Sequence, residues 1–422
     1  MLSLSHVPLN AATLDFIRQH SSDDVRQLAL RRVPAEVDLR AALQQIEGRQ
    51  LAARKLPACA ATDGLLFPPR LSLEQCSSEA TAAYKRDIVA LGEDRGGLPS
   101  LFVDLTAGFG IDFVALAPLF SQSLYIDSNP DLCTLARHNL PLLGLPTAEV
   151  RCSTAEAVLS AGLQAQLIMI DPARRNVAGR KVALIEECTP DVCALQNALC
   201  ASARYVLIKL SPMLDIAAAL RALRRVKEVH VVSVANECKE LLFLLDSKTT
   251  VTEPTITCVN LPASPSAPSL GEGRGGLHSP YHFTRAEEAS EPPVFAESIG
   301  TFLYEPNASI LKAGAFRTPC HRFAVSKLSK DAHLYTSDHL VPDFPGRIWR
   351  VIDTSSFSKK SLRTFLADMK EADITVRGFP LSAKALRQQL RLQEGGSNHL
   401  IATTLSNGER CLVKVCRAEK IR

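Results

Sequence analysis

Three aspartates stand at the ends of short hydrophobic runs in the first half of the sequence: Asp104 in LFVDLT, Asp127 in SLYIDS and Asp171 in LIMID. A carboxylate at the exposed end of a buried strand can accept a pair of charge-assisted hydrogen bonds from a ligand. Lysines occupy comparable positions, with Lys85 ahead of the first run and Lys209 near the end of YVLIKL. These charged side chains are the first candidates for chemistry.

The hydrophobic runs that carry these residues predict a mostly parallel sheet. Seven runs occur between Leu101 and Asp246: LFVDLT, SLYIDS, AEVRC, LIMID, YVLIKL, EVHVVSV and ELLFLLD. The first six alternate with helical stretches or loops, which implies right-handed crossovers. The last two are separated by only a few polar residues around Asn236, so the seventh strand is expected to be antiparallel, as in a hairpin. Because parallel strands present their carboxyl ends to a ligand crevice, the three aspartates are expected to line it.

The segment Asp104-Leu-Thr-Ala-Gly-Phe-Gly110 follows the first run and opens a helix. Its glycines allow a tight turn and a close approach of backbone to ligand. A dinucleotide enzyme would place a third glycine where Phe113 stands, to seat a diphosphate at the helix N-terminus. A ligand without phosphates therefore fits better. An NAD(P) oxidoreductase is disfavoured for this reason, and also because no histidine suggests a hydride-transfer site.

Asp127 and Asp171 suggest complementary roles. At the end of the second strand, Asp127 can accept both ribose hydroxyls of an adenosine. Asp171 begins the segment Asp171-Pro-Ala-Arg-Arg175. Pro172 fixes its own φ angle, so the pair places a rigid acceptor at the carboxyl end of the fourth strand.

Together these segments resemble the class I S-adenosylmethionine-dependent methyltransferases over residues 75–246. The resemblance implies a Rossmann-like seven-stranded α/β sheet and S-adenosylmethionine as the cofactor. It assigns cofactor contacts to the glycine loop, to the acid of the second strand, and to the upstream segment EQCSSE. The expected contact residues are Gln75, Ser77, Asp104, Thr106, Ala107, Gly108, Phe109, Gly110, Asp127, Ser128, Ala155 and Asp171.

The wider order is similar to that of an uncharacterised bacterial family with a ferredoxin-like piece around YEPNASILKAGAFR and a THUMP-like domain around VRGFPLSAKALR. The expected organisation is a helical N-terminal region, a methyltransferase domain, a linker, a ferredoxin-like piece and a THUMP-like α+β domain, at residues 1–85, 86–250, 251–293, 294–343 and 344–422. The similar segments LGEDRGGL (91–98) and LGEGRGGL (270–277) are interpreted as surface insertions.

The type of methyl transfer stays open. Amino-methylating relatives carry an aromatic residue where this chain has Arg174, although a guanidinium can also stack on a base or hold a phosphate. Carbon methylation of pyrimidines needs a cysteine nucleophile after the fifth strand. The sequence there is Lys-Leu-Ser-Pro, without a cysteine, so this type of methyl transfer is not expected. The placement of Lys85, Asp171, Lys209 and Glu240 is similar to the Lys-Asp-Lys-Glu tetrad of ribose 2′-O-methyltransferases. The candidate catalytic residues are Asp171, Pro172, Arg174, Lys209, Lys85 and Glu240.

The distribution of charge favours RNA as the partner. The whole chain carries a net charge of only +4, but Pro345 to Arg422 contains 15 Lys or Arg and 7 Asp or Glu, a local +8. A basic end on an acidic body is typical of a polyanion-binding module, and THUMP-type modules generally bind RNA. A small-molecule methyltransferase and a catalytically silent RNA-binding protein remain alternatives.

Other features of the sequence indicate a cytoplasmic protein. Its 12 cysteines are scattered without CxxC pairs, so neither a metal site nor a disulfide framework is expected. The first residues do not form a signal peptide, and no apolar run is long enough to span a membrane.

Overall fold

A computed structural model describes residues 9–90, 100–173, 184–263 and 280–418. The two RGGL-containing segments and Arg174 lie outside these described residues. The chain forms two compact units. Unit 1 contains Met1–Lys227 and Leu241–Thr252, and unit 2 contains Glu228–Glu240 and Glu253–Arg422.

Unit 1 begins with helices, as the sequence predicts. They are α1 Ala11–Gln19, α2 Val25–Leu28, α3 Leu39–Lys55, α4 Pro57–Ala61, α5 Arg70–Gln75 and α6 Glu79–Ala90. Asn10 caps α1 by accepting a hydrogen bond from the Thr13 N–H, which satisfies one of the free donors of the first turn.

The parallel sheet of unit 1 then alternates with helices. Its elements are β1 Leu101–Asp104, α7 Ile111–Leu116, β2 Gln122–Asp127, α8 Pro130–Leu142, β3 Glu149–Cys152, α9 Ala155–Ser160, β4 Ala165–Ile170, α10 Val192–Ser202, β5 Ala203–Leu210 and α11 Ile216–Ala222. Two further strands, β6 Val226–Val234 and β7 Glu237–Asp246, have residues in both units.

The strand order in unit 1 is β3-β2-β1-β4-β5-β7. The first five of these strands pair in parallel, and β7 pairs antiparallel with β5 from Tyr205↔Asp246 to Leu210↔Leu241. A tight turn at Ala235 and Asn236, both with positive φ, joins β6 to β7. The predicted class I methyltransferase architecture, with its antiparallel seventh strand, is therefore confirmed, but the sheet has nine strands rather than the expected seven, because two strands that follow β7 in the chain extend it.

The N-terminal helices support the glycine loop through Phe67. The buried amide of Gln45 in α3 holds the Phe67 backbone, accepting from its N–H at 2.7 Å and donating to its carbonyl at 3.0 Å. The Phe67 ring packs against Phe109 of the glycine loop, with ring centroids 6.0 Å apart. Phe67, Phe109 and Ile111 belong to one apolar cluster with residues from α3, α4 and α5. The helical region therefore helps to fix the loop that follows β1.

Unit 2 contains elements within the expected linker, which corrects that expectation. In the described part of residues 251–293, the strands β8 Thr255–Leu261 and β9 Tyr281–Phe283 and the helix α12 Arg285–Ser290 are formed. β8 pairs in parallel with β6 and antiparallel with β9. The apolar residues of TITCVNL are buried, and the Pro- and Ser-rich residues that follow obscured this strand in the sequence.

The rest of unit 2 forms a second sheet with helices. The elements are β10 Phe302–Pro306, α13 Ala308–Ala313, α14 Thr318–Phe323, β11 Ser326–Lys327, β12 Tyr335–Ser337, β13 Gly346–Ser356, α15 Lys359–Phe365, β14 Asp373–Arg377, α16 Ala383–Leu390, β15 His399–Thr404 and β16 Arg410–Arg417. The strand order is β11-β12-β10-β13-β16-β15-β14. The α+β character expected of residues 344–422 is confirmed in their described part. In the described part of the chain, no helix has the length and hydropathy needed to cross a membrane.

The Gly48→Ala variant tests the contact between the helical region and Phe67. Alanine normally stabilises a helix interior relative to glycine by about 1 kcal/mol. At this position an added Cβ would lie 2.4 Å from the Cβ of the fully buried Phe67. We expect Gly48→Ala to destabilise the protein by about 1–3 kcal/mol, measured by thermal or urea unfolding. Ala53→Ser, at an exposed position of α3, is the control and should change stability by about 0.5 kcal/mol. A more stable Gly48→Ala variant would contradict the packing.

Candidate active site

The carboxyl ends of four neighbouring strands bring the predicted charged residues to one edge of the unit 1 sheet. Asp104 ends β1 and is in register with Tyr125 of β2 and Met169 of β4. Asp127 ends β2, and Asp171 follows β4 directly. Ile170 pairs with Ile208 of β5, which places Asp171 level with Lys209.

Backbone hydrogen bonds fix the glycine loop between β1 and β2. The Ala107 N–H donates to the Ile126 carbonyl at 2.9 Å, and the Gly110 N–H donates to the Ala107 carbonyl at 2.8 Å. Gly108 and Gly110 have φ angles of +60° and +86°, which disfavour residues with a Cβ. The loop is therefore a pre-formed turn whose backbone a ligand can approach closely.

The Asp127 carboxylate organises the same loop. Its Oδ2 accepts from the Gly108 N–H at 2.9 Å and its Oδ1 from the Asn129 N–H at 2.8 Å. Burial raises the pKa of Asp127, and these two N–H donors offset part of the shift. Since each carboxylate oxygen has two lone pairs, the group can still accept hydrogen bonds from a pair of ribose hydroxyls.

The residues at this edge fit S-adenosylmethionine better than a dinucleotide. The close approach at Gly108 and Gly110 and the acceptor at Asp127 suit an adenosine. Phe113, which replaces the third glycine, is fully buried, and its ring packs against Phe102 and Tyr125 at centroid distances of 5.5 and 5.6 Å. This position therefore serves the core rather than a diphosphate.

Asp104 is almost completely buried, and burial raises its pKa well above the ordinary value of 3.8. The Thr106 N–H donates to its Oδ1 at 3.1 Å and offsets only part of this shift. The Thr106 hydroxyl in turn accepts from the Asp171 N–H at 2.6 Å. These contacts tie the start of the glycine loop to the Asp171 backbone.

Next to this loop lies a buried charge cluster of Ser77, Lys85, Asp112, Lys209 and Asp171. The Lys209 Nζ is 2.5 Å from the Asp171 Oδ2 and 3.6 Å from the Asp112 Oδ2. The Lys85 Nζ is 3.1 Å from the Asp112 Oδ1. The Ser77 hydroxyl donates to the Asp112 Oδ2 at 2.6 Å and accepts from Lys85 at 3.2 Å. Two ammonium groups and two carboxylates therefore form a continuous series of ion pairs.

Exposure to solvent differs sharply along this series. The exposed fraction of the side chain is 0% for Lys85, 10% for Asp112, 10% for Lys209 and 36% for Asp171. Of these four groups, Asp171 is the one that a substrate can reach without unpacking the interior. The series therefore runs from the fully buried Lys85 to a partly exposed carboxylate at Asp171.

Asp112 was not among the candidates predicted from the sequence. It is the second residue of α7, where an acidic side chain is ordinarily explained by the helix dipole. Burial raises the pKa of Asp112, but the ammonium groups of Lys85 and Lys209, with the Ser77 hydroxyl, outweigh this effect, and the pKa is lowered. Its role depends on Lys85 and Lys209, which lie far from it in the sequence. The residues next to Asp112 therefore gave no signal of this role.

The remaining predicted residues lie in varied environments. Gln75 and Ser128 are exposed, and Ala155 is buried at the start of α9. The Phe109 ring packs into the apolar cluster, so a cofactor contact at this position would have to be made by its backbone. Pro172 is buried, and Ala173 exchanges two backbone hydrogen bonds with Thr189.

Two further predictions concern Glu240 and metal binding. Glu240 lies in β7 and is buried. Among the described residues, no group of three or more His, Cys, Asp or Glu side chains is arranged to hold a metal ion.

Known proteins and protein families resemble this chain over its C-terminal region and over nearly its whole length. Family models match a ferredoxin-like domain at residues 302–345 and a THUMP domain-like region at residues 346–418. A protein from Porphyromonas gingivalis, assigned as a methyltransferase and known from its crystal structure, is 33% identical. The match covers 97% of this chain and 98% of that chain, with a TM-score of 0.83. Two curated Mycobacterium tuberculosis proteins, named uncharacterized S-adenosylmethionine-dependent methyltransferases, are 24% identical over 324 residues, 75% of this chain and 81% of theirs.

The Asp127→Ala variant tests the site assigned to S-adenosylmethionine. It should weaken binding by about 2 kcal/mol, since a charge-assisted pair of hydrogen bonds is lost. In the wild type, affinity should fall as the pH drops through the raised pKa of Asp127, at a higher pH than for an exposed aspartate. Calorimetry across a pH series measures both effects, with Glu156→Gln, an exposed position of α9, as the control. Unchanged affinity of Asp127→Ala would show that the cofactor binds elsewhere.

Proposed function

This chain belongs to the S-adenosylmethionine-dependent methyltransferases, and we propose on that premise that its methyl acceptor is a base nitrogen of RNA. The observation that carries the RNA part of the proposal is the THUMP domain-like region with its exposed basic helices. The observation that favours nitrogen is the environment of Asp171 in the charge cluster.

The glycine loop and Asp127 would hold the adenosine part of the cofactor, through the backbone near Gly108 and Gly110 and the carboxylate. When bound, S-adenosylmethionine supplies an electrophilic methyl group. The chain's own contribution is then to orient the acceptor atom toward this methyl group.

Asp171 is the group assigned to the acceptor. An amino nitrogen can donate an N–H to the Asp171 carboxylate while Lys209 occupies its Oδ2. The nitrogen loses a proton when it gains a methyl group, and the half-exposed carboxylate can accept this proton and release it to water. Pro172 keeps the turn after Asp171 rigid, because its φ angle is fixed.

The ribose alternative is less well supported by the positions of the lysines. A 2′-hydroxyl needs a general base with an available lone pair. The nitrogen of Lys85 is fully buried against Asp112, and that of Lys209 lies between two carboxylates. Either lone pair would become available only if these ion pairs were broken.

The helices α15 and α16 of unit 2 carry basic side chains that would contact the phosphates of an RNA. α15 and α16 both contribute to one apolar cluster on the same face of the sheet, with Ile374, Leu400 and Leu412. Their outward basic residues are exposed, and these are Lys359, Lys360, Arg363, Lys384 and, at the end of α16, Arg391. Arg387 is paired with Glu394 and is not counted. Phosphate contacts of this kind orient an RNA, and the choice of nucleotide is left to the catalytic site.

Substitution of Asp171 tests the catalytic assignment. Asp171→Asn should keep S-adenosylmethionine affinity within about threefold and lower kcat for bulk RNA by about 10²–10⁴-fold, the usual contribution of a positioned acid or base. Transfer of tritiated methyl groups and calorimetry measure the two quantities. Glu187→Gln, at an exposed position in the same unit, should leave both unchanged. Near wild-type transfer by Asp171→Asn would remove Asp171 from the mechanism.

Salt-dependent RNA binding tests the substrate class. Filter binding of the full-length protein to total tRNA and rRNA should weaken steeply with salt, by about 0.7–0.9 log–log units per phosphate neutralised. The triple variant Lys359→Gln, Lys360→Gln and Arg363→Gln should reduce this slope by about two units. The control carries the same change of charge at exposed positions of unit 1: Arg32→Gln, Arg40→Gln and Arg54→Gln. Absence of binding at low salt would favour a small-molecule acceptor instead.

A further inference from the structure

We propose that Asp112 is a positioning residue that holds the Lys209 ammonium in place and thereby sets the orientation of Asp171. This inference deepens the proposed function and rests on Asp171 as the carboxylate that faces the acceptor. Asp112 itself is too deeply buried to touch a substrate, with 10% of its side chain exposed.

The two carboxylate oxygens of Asp112 each lie near a different lysine. Oδ1 faces Lys85 at 3.1 Å, which forms one neutral pair in the interior. Oδ2 accepts the Ser77 hydroxyl at 2.6 Å and lies 3.6 Å from the Lys209 Nζ. Lys209 and Asp171 form the second neutral pair at 2.5 Å. The contact between Asp112 and Lys209 therefore links a fully buried pair to the pair at the edge of the sheet.

If the Lys85–Asp112 ion pair served only the stability of the fold, Asp112 would not need its contact with Lys209. The Asp112 Oδ1 already compensates the burial of Lys85, since opposite charges in contact offset the loss of hydration. The second oxygen of Asp112 instead lies beside the ammonium that occupies Asp171. With the Asp112 carboxylate also near it, Lys209 is held at the Oδ2 of Asp171, and the Oδ1 of Asp171 is left for the acceptor.

Loss of the Asp112 charge should change this balance. The Lys209 ammonium, already 2.5 Å from the Asp171 Oδ2, would lose a carboxylate that helps to hold it there and could shift across the Asp171 carboxylate toward Oδ1. Asp171 would then be less available to the acceptor, while Asp127 and the glycine loop would be unaffected. We therefore expect a loss of kcat without a matching loss of cofactor affinity.

The test must separate positioning from folding. Asp112→Asn alone leaves Lys85 buried without its carboxylate, which can destabilise the fold strongly. The double variant Lys85→Met with Asp112→Asn removes one charge of each sign and should restore thermal stability. In this double variant, kcat for bulk RNA should fall by about 10–100-fold, and the Kd for S-adenosylmethionine should change by less than about threefold. A folded double variant with wild-type kcat would show that Asp112 serves stability alone.

A second measurement does not depend on activity. The ammonium ¹H–¹⁵N signal of Lys209, identified by its absence in Lys209→Met, should be protected from exchange in the wild type and shifted or broadened in the double variant. An unchanged signal would overturn the proposal even if activity fell. If the wild type methylates no RNA but the signal responds, the substrate assignment has failed and the role of Asp112 has not.

Discussion

The interior of unit 1 holds the ammonium groups of Lys85 and Lys209. The need to compensate these two buried charges constrains the position of Asp171 at the carboxyl end of the sheet. Burying an isolated ammonium costs several kcal/mol, so each must lie beside a carboxylate. Asp112 and Asp171 meet this requirement together, within one series of contacts. Because Asp171 belongs to this series, its position depends on α6, α7 and β5 as well as on its own strand.

The helical N-terminal region has a related role on the other side of the glycine loop. Gln45 fixes the backbone of Phe67, and Phe67 packs against Phe109. Ser77 and Lys85, from the segments that follow, reach Asp112 at the start of α7. Apolar packing therefore holds the glycine loop, and ion pairs and hydrogen bonds hold the helix α7 that follows it.

The sequence was most informative where chemistry depends on position along one strand. Asp104, Asp127 and Asp171 could be placed because acids at strand ends follow from the alternation of hydrophobic runs with helical stretches. Asp112 could not be found, since its partners lie 27 and 97 positions away in the chain. β8 was missed because its short apolar pattern precedes a Pro- and Ser-rich stretch. Tertiary contacts, rather than local propensity, decide such cases.

Mass spectrometry of nucleosides from total tRNA and rRNA, taken from cells with and without the gene, tests whether this methyltransferase modifies RNA. One methylated nucleoside, with the methyl group on a base nitrogen, should be lost in the deletion strain. The wild-type gene should restore it, and a gene carrying Asp171→Asn should not. An unchanged set of methylated nucleosides in both RNA classes would contradict the claim.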